Sequence, residues 1–231
     1  ILQNRVCSSM RDLSGFFPAS NDTIRKFSEL MVEDMQLLDI LGSWRIEERL
    51  LVRNFPNAKR IELKALEPYF SDKPWTEVLE GLKVLVIHPF SYTIERQYNE
   101  KRTLLFADQS VLPKFKSLQT IKAVQTVAGQ KCEFNNWFEA LDSMKAAIDA
   151  KDYDVAIIGC GAYGFPLAAH VKRMGKKAIH LGGPTQILFG IKGRRWDHHP
   201  LIAPLYNEHW VRPAPEDVPT DAHKVENGCY W

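Results

Sequence analysis

From Lys83 onward, short runs of β-branched and aliphatic residues alternate with longer stretches whose apolar positions recur every three or four residues. The first kind reads as strands buried on both faces, the second as helices packed on them. The predicted strands are Val84 to Ile87, Leu118 to Val124, Val155 to Ile158 and Lys177 to Leu181. The predicted helices run from Ile94 to Phe106, with Ser91 or Thr93 as cap; onward from Asn135-Asn136, with Trp137, Leu141, Met144 and Ile148 on one face; and from Phe165 to Met174, stopped by Gly175.

Before Lys83 the pattern is less regular. Ile1 to Pro18 has little periodicity and ends in an aromatic turn at Ser14 to Pro18. Ser20-Asn-Asp22 signals a helix start, and Ile24, Phe27, Leu30, Met31, Leu38 and Leu41 extend that helix to Gly42. Trp44 to Arg53 reads as a short helix with Arg45, Glu47, Glu48 and Arg49 on its solvated face, and Arg60 to Leu63 as a strand. The whole predicts an α/β protein: a Rossmann-like, doubly wound, mostly parallel sheet over 83–196, with a helical addition over 1–82 and an irregular, aromatic strap over 197–231. One compact domain of 231 residues accommodates all three.

Composition narrows the partners. A net charge of +2 implies neither a general nucleic-acid surface nor a polybasic membrane surface. No apolar run approaches the ~20 residues that span a bilayer. No secretory signal is visible, so a cytoplasmic protein, at most peripheral to an inner membrane, is expected, and the start at Ile1 without Met reads as a fragment or a missing disordered start. Cys7, Cys132, Cys160 and Cys229 form no C-x-x-C pair and read as free thiols. A homo-oligomer stays open.

The chemistry gathers around Gly159-Cys-Gly-Ala-Tyr-Gly164. Gly159, Gly161 and Gly164 have G-x-G-x-x-G spacing in a strand–turn–helix setting, which lets a backbone approach an anion at the head of a helix. Cys160 in that turn is a candidate for a lowered thiol pKa. In a parallel sheet, ligands sit beyond the carboxyl ends of the strands. Those exits hold His88, Gln125, the glycine turn, and His180-Leu-Gly-Gly183 with Gln186, whereas the opposite ends carry the simple charges Lys83, Asp154, Lys176 and Lys177. His88 and His180 are the candidate bases. Arg194 and Arg195 are candidate diphosphate clamps, Trp196 a candidate stacking surface, and Gln97 the member of its helix face expected at the ligand. Lys172 and Arg173 suit the negative end of their helix and receive no function. Asp197-His-His199 is not taken as a metal site, because adjacent residues ligate one ion poorly.

The run Ile157 to Gly183, with Gln186, Phe189, Gly190, Arg195 and Trp196 beyond it, resembles the C-terminal half of bacterial glycosyltransferases of the GT-D type. The resemblance implies a nucleotide-sugar donor, a glycan acceptor, a role in surface-polysaccharide or glycoprotein glycan synthesis, and a divalent metal such as manganese or magnesium. The D-x-E motif that holds the metal in that type has no counterpart here. Two other readings are a nucleotide-binding oxidoreductase or epimerase, against which His180 stands where a ribose-binding acid is expected, and a noncatalytic module using the aromatic tail as a glycan or partner surface.

Overall fold

The computed structural model describes residues 2–126, 132–220, 222 and 228–231. It is a mixed α/β structure with two parallel sheets. The larger has four strands, β3 (Lys83–His88), β4 (Ser117–Lys122), β5 (Val155–Ile158) and β6 (Lys177–His180), in the spatial order β4-β3-β5-β6. All its pairings are parallel, with Val84 opposite both Leu118 and Val155, and Ile158 opposite His180.

Alternation along β3 explains how the sheet is covered. Val84 and Val86 face one core with Ile94 and Leu105 of α3 (Ser91–Leu105). Leu85 and Ile87 face another with Trp137, Leu141 and Ile148 of α4 (Trp137–Asp149) and Leu167 and Val171 of α5 (Gly164–Arg173). All four β3 residues have no exposed surface, as β-branched and aliphatic runs in a two-sided parallel sheet require.

The N-terminal part departs from expectation. Leu2–Ser14 is a helix, α1, although its apolar residues are few, and Val6 and Leu13 are exposed. The next helix, α2, starts at the predicted Ser20 cap but stops at Met35, not at Gly42. Ile40–Ser43 is instead strand β1, paired in parallel with β2 (Lys59–Glu62). Gly42 allows this: a Cβ there would lie 2.6 Å from Leu66 Cδ1. Trp44 to Arg53 forms 3-10 turns at 46–50 and 52–54, not an α-helix. Lys172 and Arg173, read as dipole partners only, also tie α5 to α2. Lys172 pairs with Asp39 and donates to the Leu37 carbonyl, while Arg173 pairs with Glu33 and the buried Asp34.

The tail is irregular, and its aromatics point inward. Trp210 is 3% exposed and donates Nε1–H to the Leu105 carbonyl at the end of α3. Asn207 Nδ2 donates to the Leu104 and Leu105 carbonyls. At the other end of α3 neither Ser91 nor Thr93 is the capping residue. The tail's buried Asp217 accepts from the Thr93 amide at 2.7 Å and from its hydroxyl at 2.6 Å. An acid at the head of a helix and donors at its last carbonyls complement its dipole. The tail therefore holds both ends of α3. The strap expected over 221 and 223–227 lies outside the described residues. Among the described residues no helix is long and apolar enough to cross a membrane.

Candidate functional site

The strand order places a crevice where the chain leaves β3 for one side of the sheet and continues from β5 toward the other. Above it lies a cavity of about 340 Å³ at the carboxyl ends of the strands. His88 ends β3, Val124, Gln125 and Thr126 follow β4, Gly159, Cys160 and Gly161 follow β5, and His180, Gly182 and Gly183 follow β6. All of them line the cavity, as do Gln186 from α6 (Pro184–Leu188), Leu13 and Ser14 from α1, and Tyr230 and Trp231.

The floor is main chain. Gly161 has φ 56 and Gly182 φ 70, conformations that favour glycine. The amides of Cys160, Gly161 and Gly183 donate to no backbone acceptor among the described residues, and all three residues line the cavity beside the 3-10 turn 161–163 that leads into α5. Gly159 is fixed by crowding: a Cβ there would lie 2.6 Å from both the Gly182 carbonyl oxygen and Thr185 Oγ1, and 2.8 Å from His88 Cδ2. A Cβ on Gly164 would enter the His180 ring beside Nε2. The turn thus keeps its glycines for close approach, with His180 standing against the head of α5.

Both histidines are neutral. His88 is 4% exposed, and burial lowers its pKa to about 3. Its Nδ1 accepts the Phe90 amide at 2.9 Å, so the proton is on Nε2. The expectation of a base at His88 is therefore corrected: it is a hydrogen-bond donor. Burial also lowers His180 to about 4, and its ring has no hydrogen-bond partner among the described residues. Cys160 is corrected as well, since burial pushes its thiol up and leaves it protonated. Among the described residues no disulfide joins any of the four cysteines.

These histidines make stability depend on pH. Each binds a proton near pH 6.5 when unfolded but only near pH 3 or 4 when folded. The unfolded chain therefore holds more protons between those limits, and their contribution is complete above pH 6.5 and lost as pH falls. Urea midpoints are expected to drop from pH 7 to pH 4, and His180→Gln is expected to make that drop shallower. A wild-type midpoint that stays flat over the range contradicts the neutral state of both rings.

Five predicted site residues are not in the lining, the first being Gly164, which packs against the His180 ring. Gln97 is 2% exposed and donates Nε2–H to the carbonyls of Gly190 and His209, so it fastens the tail. Trp196 is buried in the core beneath Gly183 and offers no face for stacking. Arg194 and Arg195 are exposed outside the cavity, and Arg195 lies over the rings of Trp196 and Tyr230. Gln186 does line the cavity, but its Nε2 holds the carbonyls of Ile191 and Tyr230. Conversely, Leu13, Phe90, Tyr163, Tyr230 and Trp231 form walls that sequence reasoning did not assign. Among the described residues no Asp, Glu, Lys or Arg lines the cavity, and no three His, Cys, Asp or Glu side chains are grouped to hold a metal ion.

Comparison with protein-family models, with curated proteins and with solved structures returned no match to the chain.

Proposed function

We propose that the chain is a glycosyltransferase of the kind the sequence resemblance implies, taking a nucleoside diphosphate sugar into the cavity above β3 and β5. The observation that carries this reading is that Cys160, Gly161 and Gly183, whose amides have no backbone acceptor among the described residues, line one cavity at the strand-order reversal. Ligands of parallel α/β sheets bind at such a reversal, and phosphates bind at glycine turns that open helices. The strand order, with helices on both faces, also supports the finer reading of a Rossmann-like, doubly wound sheet.

In this reading neutral donors do the electrostatic work. As the acceptor hydroxyl oxygen bonds to the anomeric carbon, the carbon–oxygen bond to the diphosphate breaks and its electron pair stays on the diphosphate. In this reading the amides and His88 Nε2–H donate to that growing charge. His180 takes the hydroxyl proton. With a pKa of about 4 it is a weak base, so transfer follows bond formation to the sugar. The residues lining the cavity do not fit the divalent metal that the resemblance implies, and no step here runs through one.

Isothermal titration of the purified chain with uridine diphosphate, other nucleoside diphosphates and a nicotinamide dinucleotide, each with and without manganese, tests the proposal. Saturable heat is expected with a nucleoside diphosphate. Binding of the dinucleotide alone points to the oxidoreductase alternative, and silence with every nucleotide removes the proposal. The tail-surface alternative has lost its main feature, since Trp210 is buried.

A further inference from the structure

Exposed apolar side chains gather in one N-terminal stretch. Trp44, Ile46 and Leu50 are 69%, 70% and 84% exposed, and Ile40, Leu51 and Val52 are exposed beside them. Single exposed hydrophobics are ordinary, but six of them between Ile40 and Val52 are not. The group belongs to a small scaffold, the β1–β2 pair and the 3-10 turns between its strands. Gly42 in β1 lies close to the turn that follows β2: a Cβ there would be 2.6 Å from Leu66 Cδ1 and 3.0 Å from Leu63 Cδ1.

The same stretch is basic. From Ile40 to Lys64, six Lys and Arg residues stand against Glu47, Glu48 and Glu62, an excess of three that exceeds the +2 of the whole chain. Two of the acids are engaged. Glu47 pairs with Arg45 at 2.9 Å, and Glu48 accepts the amides of Trp44 and Arg45 and the Ser43 hydroxyl. Arg49, Arg53 and Lys59 are exposed and make no ion pair among the described residues.

We propose that this stretch docks the protein on an anionic bilayer surface, with Trp44, Ile46 and Leu50 entering the headgroup boundary and Arg49, Arg53 and Lys59 meeting lipid phosphates. The charge complementarity selects this occupant. Indole and aliphatic side chains interleaved with cations match an interface that is apolar below and negative above. The surface is separate from the cavity, and its test does not depend on which nucleotide, if any, the cavity binds.

Co-sedimentation of the full chain with vesicles of phosphatidylcholine alone, or with added phosphatidylglycerol, tests the proposal. The protein is expected to pellet with the anionic vesicles, to stay in solution with the neutral ones, and to be released by high salt. Arg49→Gln with Arg53→Gln is expected to lower the bound partition about 25-fold, since each cation near such a surface contributes about fivefold. Trp44→Ser, Ile46→Ser and Leu50→Ser together are expected to abolish pelleting while thermal melting stays unchanged. The proposal is overturned by equal pelleting with both vesicle types, by pelleting with neither, or by pelleting that the arginine pair does not affect. Sedimentation velocity showing a dimer that Leu50→Ser dissolves overturns it too, because the face would then belong to a second copy.

Discussion

Gly159→Ala is expected to eliminate nucleotide binding and to destabilise the fold. The added methyl would fall 2.6 Å from the Gly182 carbonyl oxygen and 2.6 Å from Thr185 Oγ1. The first is main chain at a fixed turn, and the second belongs to a side chain with no exposed surface. Neither can give way cheaply. Relief would come from pushing β5 and β6 apart at their carboxyl ends or from displacing His88, whose Cδ2 is 2.8 Å away. Either movement shifts the donors that line the cavity. Overpacking of this kind costs about 1–3 kcal/mol. Titration calorimetry should show no nucleotide heat from a variant that still unfolds cooperatively, with its urea midpoint lowered. A variant with wild-type affinity would mean that the glycine turn does not shape the site.

Trp137→Ala has the larger expected cost in stability. The indole is fully buried at the start of α4, with Phe16, Phe27 and Phe138 rings 5.2 Å from its own. Deleting a buried aromatic of this size costs about 3–5 kcal/mol, through lost transfer energy and the void left behind. Its fourth neighbour links the loss to function. Tyr163 stacks on Trp137 at 4.8 Å, nearly parallel at 9°, and also forms part of the cavity wall. Without the indole, Tyr163 loses its backing and the wall loosens. Urea denaturation should register the stability loss, and nucleotide affinity should fall in the fraction that remains folded. Trp137→Phe should recover most of both, because it restores an aromatic surface behind Tyr163.

The sheet and its rim were legible because their signals are local. Val84 to Ile87 and Val155 to Ile158 are short, apolar and β-branched, and Gly159 to Gly164 states its own turn. What could not be read depends on partners distant in sequence. Gln97 looked like a ligand-facing residue because nothing near it announces the carbonyls of Gly190 and His209. Trp196 and Arg195 are neighbours in sequence, yet one turned into the core and the other outward. The end of α2 was misplaced because Leu38 and Leu41 keep a helical phase, although the backbone has already turned toward β1. Likewise Thr93 looked like a cap, whereas the capping carboxylate comes from Asp217 in the tail.

The walls of the cavity come from Leu13 and Ser14 at one extreme of the sequence and from Tyr230 and Trp231 at the other. Joining segments so distant carries a large loop-closure penalty. The cavity's occupant would act as a clasp on the whole chain: at a hundredfold excess over its dissociation constant, any ligand selective for the native state adds about 2.7 kcal/mol against unfolding. Protection from proteolysis would then spread far beyond the residues it touches.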